Sequence, residues 1–183
     1  DVMRWRARAG AILTGIGTVL ADDPRLTVRL PGDPDVVPPL RVVLDGHGRL
    51  PARATLLTDG AAPTLAVHGD DVVPDYADDV SAFAVRRLAG GLDLDAVMSQ
   101  LAQRGIGELQ VEAGAVLSGA LLKAGLVDEL LLYVAPVLLG DRGRPLFAGL
   151  APATMADRIG LRLLDSRQVG HDLRLTYAAE RRR

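Results

Sequence analysis

Apolar residues along this chain fall into short runs separated by glycine, proline and aspartate, and the spacing inside each run sets the element it predicts. Val2, Trp5 and Ala9 recur at helical spacing, so residues 1–8 read as a helix, and the run at 11–14 reads as a short buried strand. A loop rich in proline and glycine is expected at 31–39. Strands are expected at 41–44, 64–67 and 82–85, the first stopped by the turn signal Asp45-Gly46-His47-Gly48. An exposed acidic loop carrying Asp70, Asp71, Asp78 and Asp79 joins the other two. Asp93 suits the N-cap of a helix running to about Gln103, because Leu94, Val97, Met98, Leu101 and Ala102 share one face and Gly105 stops it. Residues 109–112 then read as a strand, 114–124 as a helix, and 129–135 as a continuous apolar strand of the kind buried on both faces. That order predicts a parallel crossover. The end of the chain, 161–169 and 173–179 around Gly170-His171-Asp172, alternates more loosely and reads as an antiparallel hairpin. These elements make an α/β domain with a mixed sheet.

Composition narrows the class. The 183 residues suit one domain, and 49% hydrophobic with 24% charged residues is ordinary for a globular protein. Glycine (20) and proline (11) lie between apolar runs, which points to many turns and not to disorder. A net charge of −2 gives no general attraction to nucleic acid or anionic membrane, and Arg181, Arg182 and Arg183 read as a solvated tail. No cysteine is present, so disulfides, thiolate metal sites and cysteine catalysis within this chain are excluded. His47, His68 and His171 share no ligand spacing, and no metal site is expected. The longest apolar run, 130–139, is broken by Pro136 and is about half a membrane span, and no signal-peptide pattern opens the chain. A cytoplasmic protein is the simplest reading. Because the chain opens at Asp1 and is helical at once, an upstream segment is expected.

Two segments carry candidate chemistry. In 14–29, TGIGTVLADDPRLTVR, Gly15 and Gly17 follow a strand and are expected to let the backbone turn sharply or approach a ligand closely. Thr18 donates and accepts hydrogen bonds, Asp22 and Asp23 add acceptors, and Arg29 adds a cationic fork suited to phosphate. In 111–122, VEAGAVLSGALL, Glu112 ends a strand and Gly114 opens a helix whose small residues Ala115, Ser118 and Gly119 would let a pyrophosphate reach free helix amides. Tight packing of the helix explains the same small residues equally well. Neither segment is a GxGxxG fingerprint, since the third glycine is missing after Gly15 and Gly17. Neither is a GxxxxGK[ST] loop, since the one lysine is Lys123, inside a helix.

Together TGIGTVLADDPRLTVR and VEAGAVLSGALLKAGLVDELLLYVAPVLLG resemble the reductase domain of riboflavin biosynthesis, the RibD C-terminal family. The resemblance covers nearly the whole chain, with a generic middle at 31–91. It implies a single reductase domain over 1–183 with a dihydrofolate-reductase-like fold, a three-layer sandwich with a central mixed, mostly parallel sheet and the C-terminal hairpin. It also implies reduction of 5-amino-6-(5-phosphoribosylamino)uracil by NADPH, opening the ribose to a ribityl chain. By motif position, Arg6, Leu26, Arg29 and Glu112 would contact this phosphorylated substrate, Arg29 at its phosphate. Thr18, Asp22 and Gly46, with Gly114, Ala115, Val116, Leu117, Ser118, Gly119 and Ala120 at the pyrophosphate, would contact NADPH. Read without the resemblance, Arg6 is a solvent-facing helix residue and Glu112 a helix-capping carboxylate. Hydride transfer needs no protein nucleophile, so positioning would supply the catalysis, with Glu112 or Asp22 assisting a proton.

The chain departs from the family in two places. Relatives commonly carry a serine that touches NADPH where this chain has Gly46, which leaves Arg49 or Arg53 as candidates to meet a 2′-phosphate. The family's opening strand, with its S-x-D-G motif, is not seen before Asp1. Many relatives also carry a zinc deaminase domain with cysteine ligands, and no deamination is expected of this cysteine-free chain. The family pairs as homodimers. The strand at 130–135 is read as the sheet centre in preference to such an interface. A reductase of a related pteridine or pyrimidine in a specialised pathway, and a non-catalytic nucleotide-binding module, remain the rival readings.

Overall fold

Five short, largely apolar runs pair side by side, the middle three burying most of their residues and the two outer ones staying partly exposed. In the computed structural model, which describes residues 1–30 and 36–180, they are β1 (Ala11–Gly15), β2 (Leu40–Leu44), β3 (Thr64–Gly69), β4 (Ser81–Val85) and β7 (Leu109–Val111). Most of the loop expected at 31–39 and the arginine tail lie outside the described residues. The sheet runs β4-β3-β2-β1-β7, and every neighbouring pair is parallel. It is therefore not itself mixed. Side chains of Ile12, Leu13, Val42, Val43, Val67, Leu56, Val97 and Leu101 are fully or almost fully buried. Each stabilises the fold by about 1.5–3 kcal/mol relative to exposure.

Helices α1 (Val2–Arg8), α2 (Ile16–Asp22), α3 (Thr55–Thr58) and α4 (Leu94–Gln103) accompany this sheet, with a small hairpin of β5 (Arg87–Leu88) and β6 (Gly91–Leu92). Helix α4 starts where Asp93 accepts the Ala96 N–H at 3.0 Å. It ends at Gly105, whose φ of +82 lets the Ile106 N–H reach back to the Leu101 carbonyl. Residues Asp1–Gly114 form one compact unit and Ala115–Arg183 a second.

The second unit holds α5 (Ala115–Lys123), β8 (Glu129–Val134), a 3-10 turn at Met155–Asp157, β9 (Leu161–Val169) and β10 (Asp172–Ala179). The expected hairpin forms between β9 and β10, while β8 departs from expectation. It pairs antiparallel with β10, Tyr133 opposite Arg174, as an outer strand of a sheet ordered β8-β10-β9. The parallel crossover is not formed. Nor is β8 buried on both faces: Tyr133 and Val134 are exposed. An unbroken apolar run cannot tell an enclosed strand from an apolar edge strand, and pairing alone decided it here.

On the hairpin, Arg167 and Arg174 stand opposite each other, a like-charge pair that costs stability unless bridged. Asp165 bridges it, accepting from Arg167 Nε at 2.7 Å and Arg174 Nη2 at 2.9 Å. These bonds, Arg167 first and Arg174 second, hold the Asp165 carboxyl at about 2. A depressed carboxyl contributes stability above its unfolded range, near 3.9, and loses it as pH falls through the folded value. A carboxyl carbon NMR titration should therefore give Asp165 a midpoint at about 2, moving up in Arg167→Ala; an unchanged midpoint there would remove the bridge.

Candidate active site

Arg6 sits in the last turn of α1, and its guanidinium turns inward. Nε and Nη2 donate to Oε1 and Oε2 of Glu112, each at 2.6 Å, while Nη1 donates to the Thr27 carbonyl at 2.7 Å. The side chains of Arg6 and Glu112 are only 12% and 24% exposed, so the solvent-facing reading of Arg6 is corrected. A two-bond guanidinium–carboxylate fork fixes orientation as well as distance. The Glu112 N–H donates to the Leu13 carbonyl at 2.9 Å, which seats the residue where β1 and β7 end. Carboxyl ends of parallel strands are where open sheets place ligands. Both carboxylate oxygens of Glu112 thus accept from one guanidinium.

The segment after α2 is held at three points. Asp23, left-handed at φ 40, accepts from the Thr55 hydroxyl at 2.6 Å and the Thr55 N–H at 2.8 Å. Those bonds, the hydroxyl's first, lower its carboxyl below the usual range. Arg41 donates to the Arg25 carbonyl at 3.1 Å, and Arg6 holds Thr27. Between these ties Leu26 is buried with φ at 49, a conformation that costs a bulky residue about 1–3 kcal/mol. Strain of this size persists only where neighbours enforce it. Three residues on, Arg29 is exposed; its backbone N–H meets the Met3 sulfur at 3.3 Å, and its guanidinium has no partner among the described residues. Arg6 thus brings together Glu112 and the 26–29 segment.

The glycines of TGIG do not make a sharp turn. Gly15 is extended at φ −100, Gly17 lies inside α2, and neither has positive φ. The buried pair Ile16 and Val19, one helical turn apart, was the signal for this helix, masked by the glycines' low helix propensity. A Cβ at Gly17 would meet nothing within 4 Å, so the surface there stays open. Thr18 is half-buried and Asp22 exposed, neither side chain with a partner among the described residues. Asp23 is different from its neighbour: its carboxylate is spent on Thr55.

Gly46 opens the turn after β2, and a Cβ there would stand 3.5 Å from Leu92, ordinary contact with room for a serine. The preceding Asp45 is buried and accepts from the Leu50 N–H at 2.7 Å and the Tyr76 hydroxyl at 2.9 Å, folding the turn back on the sheet. Burial first, then that bond to Asp45, raises the Tyr76 hydroxyl far above its ordinary value. Arg49 and Arg53 are exposed, with no side-chain partners among the described residues. A cavity of about 160 Å³ lies beneath Thr27, Val28, Leu30 and Val36, and none of Thr18, Asp22 or Glu112 lines it.

At α5 the small residues divide in role. Gly114 is exposed with open space at its missing Cβ, and Val116 is 76% exposed. Gly119 is buried, because the Ala148 backbone fills the place a Cβ would take and the Ala148 N–H donates to the Ala115 carbonyl at 2.9 Å. Its smallness serves packing within the second unit. Among the described residues no group of three or more His, Asp or Glu gathers to hold a metal, and no helix is long and apolar enough to cross a membrane.

A parallel five-stranded α/β sheet and a C-terminal antiparallel hairpin make an α/β protein with a dihydrofolate-reductase-like fold. The family model of the RibD C-terminal domain matches residues 1–175, and the chain belongs to that family. The riboflavin biosynthesis protein RibD of Bacillus amyloliquefaciens is 39% identical over 182 residues, covering 96% of this chain and 48% of that protein. The 2,5-diamino-6-ribosylamino-4(3H)-pyrimidinone 5′-phosphate reductase of Methanothermobacter thermautotrophicus is 37% identical over 186 residues, covering 98% of this chain and 84% of that protein. Among solved structures, Acinetobacter baumannii RibD is 35% identical with a TM-score of 0.82, covering 98% of this chain and 49% of that one. The chain spans about half the length of the RibD proteins it matches.

Proposed function

We propose that this chain is an NADPH-dependent reductase of riboflavin biosynthesis that converts 5-amino-6-(5-phosphoribosylamino)uracil to its ribitylamino product. The observation that carries the reading is the Arg6 fork: it orients Glu112 and, through Thr27, holds the strained segment that presents Leu26 and Arg29. Leu26 contacts the substrate from this strained segment, Glu112 accepts from its N–H groups, and Arg29 meets its phosphate. Open surface at Gly17 and Gly114, with a Thr18 hydroxyl and an Asp22 carboxylate that have no partner among the described residues, fits a nucleotide cofactor. Thr18, Asp22 and Gly46 would hold NADPH, with Gly114 through Ala120 at its pyrophosphate. When bound, the cofactor supplies a hydride, and the chain's own residues orient the accepting carbon and satisfy the substrate's polar groups.

The reading is tested at Arg29, whose guanidinium has no partner among the described residues. Arg29→Ala should raise the substrate KM by roughly ten- to a hundredfold, the loss of one charge-assisted phosphate contact, and leave the NADPH KM unchanged. Equal effects on both would remove the phosphate role. A second substrate, the 2,5-diamino pyrimidinone 5′-phosphate named for the Methanothermobacter relative, follows from that relative's long match to this chain.

The enzyme is further proposed to be a cytoplasmic homodimer. Tyr133, Val134, Val137, Leu138 and Leu139 are exposed, which suits burial against a second copy. Sedimentation equilibrium should give twice the chain mass, and Val134→Glu with Leu139→Glu should give one; a monomeric parent chain would refute the pairing.

A further inference from the structure

The carboxyl edge of the five-stranded sheet that carries Gly46 also carries a preformed cation. Arg87 begins β5, just past the end of β4, and its side chain crosses the end of β3. A Cβ at Gly69 would stand 2.8 Å from Arg87 Cδ, so the glycine leaves the guanidinium its path. Arg87 Nη1 donates to His47 Nδ1 at 2.6 Å, and Nη2 pairs with Asp71 at 2.9 Å. A Cβ at Gly46 would lie 3.9 Å from Arg87 Cδ, which puts Gly46, His47 and Arg87 on one surface. As a stabilising device the cluster is weak, because exposed pairs of this kind contribute about 0–1 kcal/mol. As a binding surface it is well built: Asp71 fixes one edge of the planar fork, and the other edge meets an exposed imidazole. A guanidinium only donates, so the imidazole nitrogen accepts, and a phosphate oxygen is a better acceptor for the same N–H.

We propose that Arg87 and His47 form a recognition site for a phosphate monoester, the 2′-phosphate of the dinucleotide's adenosine ribose. The site sets a preference for the phosphorylated cofactor over its unphosphorylated form, and it rests on the reading of Gly46 as a cofactor contact. Phosphate oxygens take the Arg87 Nη1 donor, and the released imidazole turns an N–H toward the same group. Arg49 and Arg53, the cations the sequence offered for this task, have no partner among the described residues that fixes their direction.

Titration calorimetry of the full chain with adenosine 2′,5′-bisphosphate and with adenosine 5′-monophosphate tests the site, since the two probes differ by the 2′-phosphate alone. The unaltered chain should bind the bisphosphate about tenfold or more tightly, the scale of one charged hydrogen-bonded contact. Arg87→Ala should abolish that preference, His47→Ala should reduce it, and Arg87→Lys should retain part, all with unchanged affinity for the monophosphate. A preference that survives Arg87→Ala overturns the inference and leaves the cofactor reading standing. Failure of the unaltered chain to bind either nucleotide overturns both.

Discussion

Arg6→Ala should lower kcat/KM for the pyrimidine substrate by roughly 30- to 150-fold, equivalent to about 2–3 kcal/mol of transition-state binding. The substitution removes both bonds to Glu112 and the tie to Thr27. Glu112 then loses its orientation, and Leu26, strained at φ 49, loses one of the contacts that enforce its conformation. Arg6→Lys should recover little, since an ammonium cannot make the two-bond fork and reach Thr27 together. Steady-state kinetics with the pyrimidine varied at saturating NADPH provides the readout. A lysine variant with full activity would show that charge alone, and not the fork, is what the site needs.

Arg41→Met should cost about 3–5 kcal/mol of folding stability, a large share of the 5–15 kcal/mol typical of a domain. Arg41 is 1% exposed, pairs with Asp59 at 2.9 Å, and also donates to the carbonyls of Arg25 and Ala62. Removing it leaves Asp59, 9% exposed, as a buried charge without its counterion. At Asp59 burial raises the carboxyl, but the Ala61 N–H and Arg41 outweigh it and leave it below its ordinary value. Adding Asp59→Leu should recover part of the loss, because an apolar pair replaces a buried ion pair at little cost. The shift in urea midpoint measures both; a single variant within about 0.5 kcal/mol of the parent would mean the pair is dispensable. Since Arg41 also holds Arg25, its loss should raise the substrate KM as well.

Much of the fold could be read from the sequence wherever period and punctuation agreed. Helix α4 was legible at both ends, from the Asp93 cap and from Gly105. Helix α2 was not, because two glycines beside a strand carry the same signal as a turn. Strand β8 was located but its surroundings were misread, since an apolar run records burial by something without saying by what. The Arg6–Glu112 fork of the candidate site was visible only through motif resemblance: spacing alone left Arg6 in solvent, and no local pattern links residues 106 positions apart. The division of labour between Asp22 and Asp23 was beyond reach as well, because it depends on Thr55, which arrives from a different element. The arginine at position 87 gave no motif signal, and its interest comes only from what lies around it.

The central claim is turnover. The purified chain, mixed with NADPH and 5-amino-6-(5-phosphoribosylamino)uracil, should consume reduced nicotinamide in step with formation of the ribitylamino product, as followed by absorbance and mass spectrometry. The account predicts one product formed per cofactor oxidised, and tight binding of NADPH without oxidation, on this substrate and on the diamino pyrimidinone alike, would contradict it.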